Sequence, residues 1–452
     1  MFQVRMNIAC KEARMTGDLL IKNARIWPAA HREVIEDGSI LIKNGRIEKI
    51  GVFSAKAHTV VNADGCLVMP GFIQGHIHFC QTIFRGVAED LALLPWLRGY
   101  IWPMEAAHTP KSIRASALLA CAELIRGGTT AFLSIETVRH TDETFRAIDQ
   151  AGLMGAIGHC LMDETGGYSP LAVDNHDALA YCDVLLDHWG QHPRLKLAVA
   201  PRFALSCSEN NMREACEYAR DRKLMLHTHS SEQTEEVHIV KERTGRYNIN
   251  YLHDVGLTGP DVGLAHCVHT RPEERDLLRE TGTHVLHCPS ANFKLASGIA
   301  PIPEYLQQGI NVSIGGDGAP CNNRLDQFME MREAGLMQKI RLGPDALSAE
   351  DVVMMATEGG AKLLGWENEM GTLDPGKRAN IILIDQSNFG TFPSTDPATN
   401  VVYSNIASDV VMTIVDGKIL FEDGRITTID EEQLRDEVRV ERKELLKRAG
   451  IS

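Results

Sequence analysis

Between residues 69 and 371, short β-rich runs alternate with stretches of helical periodicity. The runs are the one that ends in the histidines of PGFIQGHIH, then TTAFLSI, GAIGHCLMD, LKLAVAPRF, LMLHTHSSE, VGLAHCV, HVLHCPSAN and NVSIGGDG. Eight such β–α units at this length predict an α/β fold of the (β/α)8 TIM-type barrel class, whose chemistry sits at the C-terminal ends of the strands. The two ends of the chain follow a different grammar. DLLIKNARIW, SILIKNGRIEKIG with its Asn-Gly turn, and the run that closes in CLVMPG alternate like half-buried strands. The same pattern returns in TLDPGKRANIILID and DVVMTIVDGKILFEDGRITT. The expectation is a small β-sandwich formed by both chain termini, residues 18–68 and 372–430, enclosing a barrel at 69–371. An N-terminal extension, 1–17, precedes it. A C-terminal helix, 431–452, follows, with leucines and valines at helical spacing that suit packing on the outside.

Charge narrows the possible partners. The 46 Lys and Arg against 60 Asp and Glu give a net charge of -14, which repels phosphate backbones and anionic membrane surfaces. No apolar run approaches the roughly 20 residues of a membrane span. MFQVRMNIACKEARMTG lacks the apolar core of a signal peptide. A cytoplasmic protein acting on a small molecule, with neither nucleic acid nor membrane as partner, is expected. Eleven cysteines occur without a C-x-x-C pair. Cys80, Cys160, Cys207, Cys267, Cys288 and Cys321 lie near the motifs below, but none stands in a nucleophile and base pattern, so they read as buried reduced thiols.

Candidate chemistry gathers at the strand ends. Alternate residues of an extended strand project to one face, so His76 and His78 can reach a single point. Arg202 closes the fourth run, His229 and Glu232 the fifth, His266 the sixth, His287 the seventh and Asp317 the eighth. Three imidazoles and one carboxylate, His76, His78, His229 and Asp317, suit a divalent metal with an open position. Such an ion can bring the pKa of water from nearly 16 down to about 7. Glu232 is then placed to move the proton, while His266 and Asp317 orient the nucleophile. Each residue alone has a structural explanation, such as a satisfied core histidine or a capping aspartate. Together, in barrel order, they do not. His227 shares a strand face with His229 and reads as secondary or structural.

These motifs make the chain similar to the amidohydrolase superfamily, in its branch of metal-dependent aminohydrolases, over residues 18–430. PGFIQGHIH, HTHSSE, AHCVH, HCPSANFKLASGIAPI and IGGDGAPCNNRLDQFMEMR carry the resemblance. It implies a barrel plus β-sandwich, one divalent ion (Zn2+, with Fe2+ sharing the ligand set), hydrolysis at a ring carbon bearing an amino group, and a homo-oligomer, in the family a dimer.

The substrate signals divide. HFCQT, DLALLPWLRGYIWPME and APRFALSCSE resemble guanine deaminases, where the corresponding glutamine and arginine contact the base. That likeness implies Gln81 and Arg202 as base-reading residues, with Phe203 beside them. RGVAEDL and IGGDGAPCNNRLDQFMEMREAGLMQK resemble methylthioadenosine and S-adenosylhomocysteine deaminases instead. Those carry a histidine at the place of Arg202 and arginines near His159 and Tyr168, and there Glu105 would meet a ribose. The expectation is guanine converted to xanthine and ammonia, with Gln81, Glu105, His159, Arg202 and Phe203 around the substrate. The adenosine thioethers come second and a triazine or pterin ring third. A non-catalytic barrel that has lost its metal is the alternative of another class, and the complete set of polar strand ends counts against it.

Overall fold

The computed structural model describes residues 19–166, 168–393 and 396–451. All eight expected inner strands form: β1 (Phe72–Ile77), β2 (Thr129–Ile135), β3 (Met154–Leu161), β4 (Leu195–Pro201), β5 (Met225–Ser230), β6 (Val262–His266), β7 (His284–His287) and β8 (Val312–Ile314). Each is hydrogen-bonded to the next in chain order, and every pairing is parallel. Helices cover the outside, so a strand such as β2 is buried at all its positions rather than on alternate ones.

The barrel closes where β8 meets β1. The seam is narrow: a bridge between Ile77 and Asp317, and Asp317 N–H donating to His76 O at 3.0 Å. Glycine permits it. A Cβ on Gly315 would stand 2.5 Å from the backbone nitrogen of His76, closer than any side chain allows. The missing side chain thus brings the two strands that carry His76, His78 and Asp317 into contact.

The terminal strands pair as expected in kind, but as one sheet. Leu19–Ile26 runs parallel to Thr59–Asn62 with its first half and parallel to Cys66–Pro70 with its second. A register shift between Ile21 and Ala24, with Asn23 at φ 56°, bends the strand between those two partners. The two layers are therefore joined through this strand into a nine-stranded sheet wrapped on its own apolar cluster, which includes Ile21, Ile40, Val61, Ile381 and Ile414. Chain ends meet at its centre, where Pro70 pairs with Ile381. Asn44 and Gly45 both take positive φ, the turn that Asn-Gly predicts between Ile35–Lys43 and Arg46–Gly51.

The last helix, Glu431–Ala449, buries Leu434 and Leu445 and packs against the helix Pro110–Arg126. The expected 1–17 extension lies outside the described residues. Among the described residues, no helix is long and apolar enough to cross a membrane. Nine of the ten described cysteines are buried, and burial raises thiols such as Cys160 to about 12, so they fill space as protonated groups.

Candidate active site

The imidazoles at the C-terminal mouth of the barrel have their tautomers fixed from behind. His78 Nδ1 donates to Ile135 O at 2.7 Å and His229 Nδ1 to Arg202 O at 2.7 Å. His227 Nδ1 faces Ser134 O at 3.4 Å, which leaves its Nε2 to accept from His76 Nδ1 at 2.9 Å. With each Nδ1 protonated, the three Nε2 atoms of His76, His78 and His229 present lone pairs. They point at one place. His76 Nε2 and His78 Nε2 stand 3.2 and 3.1 Å from Asp317 Oδ1, and His78 Nε2 and His229 Nε2 are 3.2 Å apart. Lone pairs packed this closely, with His76 Nε2 sealed from solvent and without a hydrogen-bond partner, need a cation between them. Nitrogen and carboxylate donors of this number fit zinc or a similar divalent ion.

Burial reinforces that state. It lowers His76 to about 4 and His229 well below the ordinary histidine range, so both rings are neutral. Asp317 faces the Nε2 atoms of His76 and His78 with its carboxylate Oδ1. Its backbone, like that of His266, sits at positive φ (57° and 73°), a conformation rare outside glycine that concentrates at functional sites.

Glu232 and His266 complete the mouth. His266 Nδ1 is tied to Asn292 Oδ1 at 2.9 Å, which turns Nε2 toward Glu232 Oε2 (3.6 Å) and Asp317 Oδ2 (3.8 Å). Potential ligand atoms of His76, His229, His266 and Asp317 all lie within 4.8 Å of one another, so His266 is a member of the same cluster. Burial raises the Glu232 carboxyl to about 7, in the range where a group both takes and gives a proton at neutral pH. Ser297 Oγ donates to its Oε1 at 3.2 Å.

The opposite wall is a chain of side chains gripping one another. Arg202 holds Glu105 with both terminal nitrogens, Nη1 to Oε2 at 2.5 Å and Nη2 to Oε1 at 3.0 Å. Gln81 Nε2 donates to the same Glu105 Oε1 at 2.8 Å. A carboxylate only accepts, so the amide must turn its NH2 toward Glu105 and its carbonyl elsewhere. That carbonyl, Oε1, is buried without a partner and lies so close to Gly318 that a Cβ there would come within 2.1 Å of it. The cavity between the walls has a volume of about 30 Å³ and is lined by Gln81, Arg202, Phe203, Glu232, His266 and Asp317, among others.

Two expectations change here. His159 does not reach the cavity: it faces outward from β3, Nδ1 bonded to Thr141 Oγ1 at 2.9 Å and its ring against Tyr181, because odd positions on this strand point to the helical layer. Glu105 is occupied by Arg202 and Gln81 and is absent from the lining. Sequence reasoning passed over Leu93, Trp96, Leu97 and Leu295, which roof the cavity, and Asn292 and Ser297, which orient His266 and Glu232. The run DLALLPWL carries the first three, but its apolar pattern alone does not separate a roof from core.

The amidohydrolase family model matches residues 67–420. The chain is 39% identical over 442 residues to a 5'-deoxyadenosine deaminase of Methanosarcina mazei, covering 96% of this chain and all of that one. It is 35% identical over 433 residues to a 5-methylthioadenosine/S-adenosylhomocysteine deaminase of Syntrophobacter fumaroxidans, covering 94% and 97%. Among solved structures it is similar to an adenosine deaminase from Xanthomonas campestris with bound zinc, with a TM-score of 0.90, 29% identity, and 95% and 99% of the two chains covered. A guanine deaminase from C. acetobutylicum with bound guanine shares the fold, with a TM-score of 0.81 at 24% identity and 89% and 100% covered.

Proposed function

The chain belongs to the amidohydrolase family and is a hydrolase of carbon–nitrogen bonds in cyclic amidines, and from that premise we propose that it deaminates adenosine-type substrates, above all 5'-modified adenosines. The observation that carries the chemistry is the convergence of three tautomer-fixed imidazoles on Asp317 with Glu232 beside them. The substrate class is supported by full-length likeness to deaminases of 5'-deoxyadenosine and of the adenosine thioethers. The guanine expectation gives way. The relatives matched over nearly the whole chain are deaminases of adenosine-type compounds, and the guanidinium assigned to the base is engaged with Glu105.

His76, His78, His229 and Asp317 would hold the divalent ion, proposed to be zinc. When bound, that ion supplies Lewis acidity, making a nucleophile of water at neutral pH. Glu232 takes the proton released and delivers it to the ring nitrogen beside the attacked carbon, which makes the ring electrophilic. His266, fixed through Nδ1 by Asn292, would steady the attacking oxygen from beside Glu232. Glu232 then takes the remaining hydrogen of the added hydroxyl and passes it to the amino group, which leaves as ammonia, and the product carries an oxo group in its place. Gln81 offers its unpartnered carbonyl to an N–H or O–H donor of the substrate. Phe203 and the apolar roof exclude bulk water.

An ammonia-release screen over 5'-deoxyadenosine, methylthioadenosine, S-adenosylhomocysteine, adenosine, guanine and a 2-aminotriazine tests the reading. Turnover should concentrate on the adenosines. Turnover of guanine with none of the adenosines would replace this reading with the guanine one.

A further inference from the structure

Besides the metal cluster, the cavity carries two polar groups shut off from solvent and without partners: the Gln81 carbonyl and the indole N–H of Trp96. Trp96 is 4% exposed and ends the short helix Leu93–Trp96. The next turn, Leu97–Ile101, is wound as a π-helix, a form that recurs at functional sites. The helix is tied across the cavity to the residue after Glu232, Leu93 N–H meeting Gln233 Oε1 at 3.4 Å. A buried donor left unpaired costs about 1–3 kcal/mol, so an indole N–H kept in the wall of a reaction cavity is best explained by a ligand that accepts from it. The cavity's 30 Å³ holds one or two waters, which would serve the indole until a substrate displaces them.

We propose that Trp96 is a specificity-determining residue, its indole N–H donating to a ring nitrogen of the bound purine other than the one Glu232 protonates. This rests on the adenosine-type reading above. Adenine has two such acceptors, on the pyrimidine and the imidazole side of the ring, while its amine and the sugar hydroxyls supply donors for Gln81. Trp96 and Gln81 thus form a donor and acceptor pair that matches a purine edge and its substituents. An indole is well suited to the place, since one side chain both roofs the ring and supplies a single oriented donor.

The test is a cycle between enzyme and substrate, on the metal-loaded full chain. kcat/KM is measured for the best adenosine-type substrate and for its 3-deaza and 7-deaza analogues, with wild type and with Trp96→Phe, which keeps an aromatic roof and removes the donor. Wild type should lose about tenfold or more on one analogue, and Trp96→Phe should lose a similar factor on the parent compound with little further loss on that analogue. Equal discrimination by both proteins overturns the contact. So does a wild type that is active on the parent but blind to both replacements, a result that needs no variant and therefore holds even if Trp96→Phe does not fold. A wild type that releases ammonia from no purine removes the functional reading itself, and the Trp96 contact with it.

Discussion

The two walls of the cavity are built on opposite principles. On the metal side, each imidazole is held by a backbone carbonyl or another histidine behind it, and its free lone pair points forward to a common centre. On the far side, Arg202, Glu105 and Gln81 hold one another, and a single carbonyl is left to meet the substrate. The first arrangement is incomplete without a cation. The second is complete by itself, and its charge is neutralised internally. The metal side is therefore the part whose loss abolishes chemistry, and the far wall the part whose loss costs stability and selectivity.

The largest effect should come from His78→Ala. Metal content and turnover should fall together, and a full equivalent of metal at normal turnover would break the metal-side half of the contrast. Glu232→Gln should lower kcat about 100-fold to 10,000-fold while the metal, measured by elemental analysis, stays bound. Near wild-type turnover in that variant would take Glu232 out of the mechanism.

Arg202→Met addresses the far wall. It leaves Glu105 buried without its cation, at a cost of about 3–5 kcal/mol in unfolding free energy. Arg202→Met with Glu105→Gln should recover much of that stability, read by denaturant unfolding, because no charge is then left buried without a partner. A single variant as stable as wild type would mean that the pair is not the far wall's support.

The smallest effect concerns a carboxyl behind the metal side. Glu330 accepts from Ser290 N–H and from Asn322 Nδ2, and that Nδ2 also donates to Gly316 O, just before Asp317. Burial raises Glu330 to about 8. The folded value lies above the unfolded one of about 4.3, so its contribution is complete below that pH and is lost as pH rises through the folded value. Glu330→Gln, with no charge to bury, should show a flatter fall in stability between about pH 5 and 8, checked by urea unfolding at several pH values. Parallel curves for the two proteins would mean that Glu330 is not protonated in the fold.

The same contrast explains what could be read from the sequence. Strands are local, and a histidine or aspartate at a strand's end inherits its direction from the barrel, so the mouth was legible once eight runs were counted. His159 shows the limit. It sits on a barrel strand near the site, but position along the strand decides which face it takes, and the composition of GAIGHCLMD does not announce the phase. Arg202 shows another. Its place at the end of β4 was readable, but its bidentate grip on Glu105, 97 positions earlier, joins residues with no common periodicity. The β unit at the termini was legible as strands with turns, while its joining through a bent Leu19–Ile26 depends on a bulge at Asn23 that one asparagine does not reveal.

That sheet also sets a schedule for synthesis. Cys66–Pro70 has Leu19–Ile26 on one edge, but the partner of its other edge, Ile381–Asp385, comes more than three hundred residues later. At roughly 5–20 residues per second the ribosome needs on the order of 15–60 s to deliver it. During that interval Cys66–Pro70, three of whose five residues are fully apolar, has an open edge of the kind that recruits other nascent chains. The stretch from Leu19 to Pro70 thus waits with one strand edge unpaired for most of synthesis, although none of its residues lines the cavity.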